Sequence, residues 1–250
     1  MNRHLTMRSG NPALSQKTFK NLGTYDSAEA MTISGTVNKM FLALILLMTT
    51  AIWTWNLPAD DPRIINFMVI GFIGGLIFAI ITIFKKTWAP YTVPAYALFE
   101  GLALGAISAI FERMYPGIVS QAIFLTFGTL GALLLAYRSG LIKATENFKL
   151  GVFAATGGIA AIYLLSWVVS WFGASIPLIH SNSTFGILFS LFVVVIAALN
   201  LVLDFDFIEE GAERGAPKYM EWYGVFGLLI TLIWLYLEIL RLLSKLQSRR

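Results

Sequence analysis

The chain has 250 residues, of which 57% are hydrophobic and only 13% are charged, and its formal net charge is +4. Soluble domains carry about a quarter charged residues, so this composition excludes an ordinary soluble protein and indicates a polytopic membrane protein. There is no cysteine, which excludes disulfides, thiolate metal sites and cysteine nucleophiles. Since the basic residues lie in tails and links, we expect no nucleic-acid partner, and nothing in the sequence implies a cofactor.

Seven apolar segments follow a polar N-terminal stretch. Residues 1–38 are predicted to be a cytoplasmic tail, and residues 39–250 to be the membrane domain. Each segment is close to the ~20 residues that a helix needs to cross the hydrocarbon. Because lipid does not tolerate unpaired backbone, the predicted fold is an all-α bundle of seven transmembrane helices. The predicted spans are residues 39–57, 64–84, 90–111, 116–137, 148–171, 184–206 and 222–243.

The distribution of basic residues predicts that the N-terminus is cytoplasmic. The tail and the second, fourth and sixth links are basic, whereas the first link holds only Arg63, the third only Arg113 and the fifth none. Four basic residues near the C-terminus disagree, because seven full crossings would place them outside. They are Arg241, Lys245, Arg249 and Arg250. We nevertheless expect seven crossings.

Small residues recur at a spacing of four in several segments. Such faces let helix backbones approach closely where lipid gives no hydrophobic driving force, so the pattern predicts tight helix packing. The positions are Gly71 and Gly75, Ala97, Gly101 and Gly105, Gly128 and Ala132, and Ala154 and Gly158.

Three carboxylates fall within the apolar segments, where an unpaired charge is costly and is usually functional. Glu100 interrupts the third segment, Asp204 ends the sixth and Glu238 lies in the last. Arg241 follows Glu238 by three residues, so these two side chains are predicted to form a local ion pair. Glu100 and Asp204 have no such neighbour, which makes them the stronger candidates for a functional site.

Helical geometry separates Asp204 from Asp206. Asn200 precedes Asp204 by four residues and therefore shares its helix face, which is predicted to point into the bundle. Asp206 lies about 200° around the helix, at a predicted solvated helix end. Burial disfavours the charged form of a carboxylate, so such a group can bind a proton near neutral pH and act as a sensor. When it is ionised, it is a hard oxygen ligand suited to Ca²⁺, although the sequence leaves the metal open.

An enzyme is not expected. Glu209, Glu210 and Arg214 match the EExxxR motif of intramembrane CAAX-type proteases, but those enzymes also need histidines on other membrane helices. The only histidines here are His4 in the tail and His180 in the fifth link. The same lack argues against a rhomboid-type serine protease.

The order of these features resembles the transmembrane Bax inhibitor motif family, also called Bax inhibitor-1. The third segment contains FEGLALGAI, and the sixth ends in a D-x-x-x-I pattern formed by Asp204 and Ile208. The sequence AERG follows from Ala212 to Gly215. The N-terminal stretch RSGNPALSQKTF looks like the opening of a bacterial subgroup, which implies a location in the bacterial inner membrane.

The resemblance implies two functions. Relatives are described as pH-sensitive calcium leaks, which would make this protein an ion-conducting pH sensor acting through Ca²⁺ and protons. Their sensor is a pair of aspartates on the last two helices; Asp204 matches the first, and Thr231 occupies the second position. Some relatives also place a basic residue on the second helix, whereas residues 64–84 contain none. Bacterial relatives bind a membrane-bound protease, so the alternative is a non-conducting regulator, which the polar tail favours.

Overall fold

Seven α-helices make up almost all of the computed structural model, which describes residues 30–58, 61–173 and 183–249. All seven are long and apolar enough to cross a membrane, which confirms the predicted all-α, seven-helix class. A short 3₁₀ turn precedes the third helix. The helices are α1 Ile33–Trp55, α2 Arg63–Phe84, α3 Ala89–Met114, α4 Ile118–Arg138, α5 Glu146–Ser170, α6 Thr184–Glu213 and α7 Tyr219–Gln247.

The main differences from the predicted spans lie at helix ends. Helix α1 begins at Ile33, where Thr32 caps it by accepting a hydrogen bond from the Gly35 N–H at 3.0 Å. Residues 33–38, predicted to be tail, therefore form the first turns of α1, while residues 1–29 lie outside the described part. Helices α6 and α7 run beyond their apolar segments because polar residues continue a helix past the hydrocarbon.

The chain divides into two compact units, which are described separately. Within the described residues, unit A comprises 117–207 and 230–249, and unit B comprises 30–116 and 208–229. Unit A thus holds α4, α5, most of α6 and the second part of α7. Unit B holds α1 to α3, the end of α6 and the start of α7.

Unit B is built around α3, which packs against both α1 and α2. Gly101 and Gly105 of α3 lie so close to α1 that an added Cβ would overlap with Thr50 and Thr54. The Thr50 hydroxyl also donates to the Leu98 carbonyl of α3 at 2.9 Å. The predicted small-residue contact is therefore present here, as it is for Gly71 and Gly75 of α2, which lie against α3.

Unit A has an apolar centre formed by α5, α6 and the second part of α7. Ile159, Val193 and Ile196 are buried together, and Tyr163 and Trp234 pack against them. Outward faces carry large apolar side chains, as expected for helices in contact with lipid.

The small residues of α4 and α5 behave differently from those of unit B. A Cβ added at Gly128 or at Gly158 would meet nothing within 4 Å in the described part of the chain. Ala132 and Ala154, their partners in the sequence pattern, are exposed. Packing among the described helices therefore does not explain these two pairs, contrary to the prediction.

Candidate functional site

The candidate site lies in unit A, on the face of α6 that carries Asn200 and Asp204. Asp204 is 0% exposed and Asn200 is 2% exposed. Both belong to one continuous helix and are four residues apart, so they share a face as predicted. Thr156 of α5 and Thr231 of α7 supply hydroxyl groups around them.

Three oxygen atoms of this site have no hydrogen-bond partner among the described residues. The Asn200 amide donates to the Thr156 hydroxyl and to the Ile196 carbonyl, both at 2.8 Å, which leaves its Oδ1 without a donor. Both carboxylate oxygens of Asp204 also lack a hydrogen-bond donor among the described residues. The Thr231 hydroxyl lies beside this carboxylate but outside hydrogen-bond geometry. Since a buried acceptor without a donor is costly, the site favours a proton or a cation.

Asp206 has a different role from the one predicted. Its side chain is 25% exposed, and its Oδ2 lies 2.6 Å from the Nζ of Lys149 on α5. Lys149 is buried, and Glu146 is a second, more distant partner at 3.6 Å. Asp206 therefore neutralises a buried cation instead of only marking a solvated helix end. Sequence periodicity could not show this, because the contact joins two helices.

Glu238 forms the predicted pair with Arg241, at 2.8 Å, in unit A. The pair is more elaborate than a snorkelling helix-end contact, since Glu238 is only 2% exposed. The Tyr163 hydroxyl donates to this carboxylate at 3.1 Å, and Trp234 Nε1 donates at 3.3 Å. The Arg241 guanidinium also lies over the Tyr163 ring, 5.2 Å from its centroid. Glu238 is thus neutralised and held in place.

Glu100 belongs to unit B, where α3 presents it to α2. Tyr96, one turn earlier, donates a hydrogen bond to its carboxylate. Gly75 of α2 lies against that carboxylate so closely that an added Cβ would overlap with it. The structure thus gives Glu100 a tyrosine hydroxyl as a hydrogen-bond donor, whereas the Thr231 hydroxyl beside Asp204 lies outside hydrogen-bond geometry.

The acidic pair in the EEGAER motif lies at the end of α6. Glu210 forms an ion pair with Arg214 at 2.5 Å, with the spacing i,i+4. This contact is a local helix-end interaction. It gives the motif a structural role that needs no catalytic histidine.

Sequence reasoning missed Glu221, which is 0% exposed in the first turn of α7 in unit B. Its Oε1 accepts from the backbone N–H and the hydroxyl of Thr32, both at 2.9 Å. Lys218 pairs with it at 3.0 Å, and Lys39 of α1 also forms an ion pair with it. Gly35 leaves room for the carboxylate. The signal available in the sequence was an acid directly before an apolar segment.

The described residues contain no group of three or more His, Cys, Asp or Glu side chains arranged to hold a metal ion. The oxygen atoms around Asp204 thus comprise one carboxylate together with amide and hydroxyl groups. Such a set suits a weak, transient cation contact more than a high-affinity Ca²⁺ cage, which takes 6–8 oxygen ligands.

The family model described as Bax inhibitor 1 like matches residues 11–248. This match covers nearly the whole chain and confirms the resemblance that the motifs indicated. Neither the curated proteins nor the solved structures yielded a match.

Proposed function

Since the chain belongs to the Bax inhibitor 1 like family, we propose that this multi-pass membrane protein conducts cations under the control of pH, with Asp204 as the titrating group. The observation that carries the proposal is the environment of Asp204. It is fully buried, and both of its oxygens lack a hydrogen-bond partner among the described residues. The other buried carboxylates discussed above, Glu221 and Glu238, are paired with basic side chains.

The chemistry of this environment supports a switch between two states. A protonated Asp204 is neutral, which is the favoured form in a low-dielectric interior. An ionised Asp204 presents a negative carboxylate on the helix face that also carries the Asn200 amide oxygen, so this face attracts a cation. Conduction requires binding that is favourable enough for entry and weak enough for exit. A single carboxylate with neutral oxygen neighbours meets that requirement better than a cage of several acids.

Flux through liposomes tests this proposal. The purified protein is reconstituted with a Ca²⁺ indicator trapped inside, and Ca²⁺ entry is measured between about pH 6 and pH 8, the range in which a buried carboxylate can titrate. Asp204→Asn keeps the shape of the side chain but cannot titrate, so the flux should lose most of its dependence on pH. Glu213→Gln is the matched control, because Glu213 ends the same helix and is exposed. An unchanged pH profile in Asp204→Asn would reject the role of Asp204.

A gain-of-response variant sharpens the test. Thr231→Asp places a second carboxylate beside Asp204, and two close acids titrate as a coupled pair. We expect its flux to depend more steeply on pH than that of the unmodified protein. Asp206→Asn is expected to change the pH profile much less. However, it removes the carboxylate that lies 2.6 Å from Lys149 Nζ, so the stability of this variant must be measured beside its flux.

A second candidate function is a non-conducting regulator that binds another membrane protein, such as a quality-control protease of the bacterial inner membrane. One observation favours it: α5 exposes a stripe of small residues against which nothing described packs. Small residues on an open face allow a second helix to approach closely. The stripe consists of Gly151, Ala154, Gly158 and Ala161.

Co-purification from membranes discriminates this candidate from the first. Gly158→Leu fills the stripe and should reduce the recovery of a bound membrane protease severalfold, while Ca²⁺ flux in liposomes stays the same. Gly128→Leu, on the open face of α4, is the control. Recovery with Gly158→Leu equal to that with the unmodified protein would reject the stripe as a protease-binding face.

A further inference from the structure

One end of unit A carries a concentration of positive charge that the proposed function does not use. It is the end where α5 and α7 finish and α6 begins. Arg241 and Lys245 are one turn apart near the end of α7, and Arg249 follows four residues later in the turn after the helix. Residues at this spacing lie on one side of a helix, so Arg241 and Lys245 share a side of α7, and Arg249 continues this row of three cations in the turn that follows.

Lys245 is the central member of this row, and its environment is unusual for a cation. It is only 5% exposed, and its Nζ donates to the Gly186 carbonyl at 3.0 Å and to the Ser190 hydroxyl at 2.8 Å. Both partners are neutral. Glu238, one turn before Arg241 on α7, is engaged by Arg241. A buried ammonium is costly unless a negative group compensates its charge, and none lies within ion-pair distance among the described residues.

The start of α6 adds to the positive character of this end. Ser183 caps the helix by accepting from the Gly186 N–H at 3.2 Å, and Arg249 donates to the Thr184 hydroxyl at 3.4 Å. A helix N-terminus carries a partial positive charge. Glu238, which Arg241 already engages, is the nearest acid along α7, and residues 171–203 and 239–250 contain no aspartate or glutamate.

We propose that this end of unit A binds a phosphate group, carried either by an anionic phospholipid headgroup or by free phosphate. Three features match that chemistry. Arginine and lysine are the side chains that proteins use to bind phosphate. The helices end here, which is where lipid headgroups lie. Trp167 and Trp171 are exposed at the end of α5, and tryptophan is enriched at the level of the lipid headgroups.

Thermal unfolding of the purified full-length protein in a neutral detergent tests the proposal. The added probes are dioctanoyl phosphatidylglycerol, dioctanoyl phosphatidylcholine, and sodium phosphate at matched ionic strength. Phosphatidylglycerol should raise the melting temperature in a saturable way, and phosphatidylcholine should not. Arg249→Gln should raise the concentration for half-saturation about fivefold, which corresponds to ~1 kcal/mol for one basic residue near anionic lipid. Lys245→Gln should raise it at least as much.

A matched control variant and the measurement with sodium phosphate complete the experiment. Arg138→Gln removes an exposed basic residue at the end of α4 and should leave the half-saturation unchanged. Should Lys245→Gln fail to fold, Arg249→Gln still decides, because Arg249 is exposed. Stabilisation by phosphate alone would support the site with free phosphate as its ligand, and stabilisation by phosphatidylglycerol alone would support it with lipid. An equal effect of phosphatidylcholine, or equal weakening by Arg138→Gln, would overturn the proposal.

Discussion

Buried carboxylates in this chain differ in the groups that contact them, and these contacts determine how much stability is lost when a carboxylate is replaced. Glu221 accepts from Thr32, Lys39 and Lys218. Glu221→Gln leaves Lys39 without its counter-charge, and removing one partner of a buried pair costs ~3–5 kcal/mol. Because Lys39 retains some exposure, we expect the free energy of unfolding to fall by about 2–3 kcal/mol. Thermal unfolding in detergent measures this loss.

The exposed acid Glu213 provides the comparison for this prediction. Glu213→Gln should change the free energy of unfolding by no more than about 0.5 kcal/mol, as expected for a surface position. If both variants unfold at the same temperature, the network at Glu221 does not contribute to stability as its geometry indicates.

The sequence could predict contacts between residues of the same helix, because these follow from the helical periodicity. The shared face of Asn200 and Asp204 and the pair of Glu238 with Arg241 follow from the spacing within one helix. The contact of Asp206 with Lys149 joins α6 to α5. The sequence could not predict it, because it depends on how each helix is rotated about its axis.

At the scale of helices, glycine spacing predicts where a close approach is possible but not where it occurs. Gly101→Ala places a Cβ against Thr50 and the Leu47 carbonyl of α1. Overpacking of this kind costs ~1–3 kcal/mol, so the free energy of unfolding should fall by about 2 kcal/mol. Gly128→Ala is the same substitution in an open position of α4. It should stabilise by about 0.5 kcal/mol, since alanine loses less backbone entropy in a helix.

The difference between these two variants is the test, measured by thermal unfolding of both proteins in the same detergent. Equal losses of stability would show that another helix packs closely against α4 at Gly128. Equal gains would show that α1 and α3 do not pack closely at Gly101.

Helix ends were also predicted imperfectly. Hydropathy reports only the part of a helix that lies in lipid, whereas the cap at Thr32 and the polar turns after Asp204 extend the helices beyond it.

At the scale of the whole molecule, composition and segment length were sufficient to predict seven helices. Lipid permits so few backbone structures that an apolar segment of about 20 residues is expected to form a transmembrane helix. The buried charges of the C-terminal helix could not be predicted in this way. Its apolar segment ends at residue 243, yet the helix continues to Gln247 and buries Lys245.

The last prediction concerns the side of the membrane on which the C-terminus lies. Seven crossings from a cytoplasmic N-terminus place Ser248 outside, against the usual preference for basic residues inside. The length and composition of α7 support the crossing, because Tyr219–Gln247 is long and apolar enough to span a membrane.

Cysteine labelling in intact cells decides this question, and the natural chain contributes no cysteine background. Ser248→Cys should react with a membrane-impermeant maleimide without permeabilisation, as should Ala59→Cys and Ser181→Cys, which lie outside the described residues. Ser139→Cys, in the turn after α4, should react only after the membrane is opened. Protection of Ser248→Cys together with labelling of Ser181→Cys would mean that α7 does not cross, and the inverse pattern at all four positions would reverse the topology.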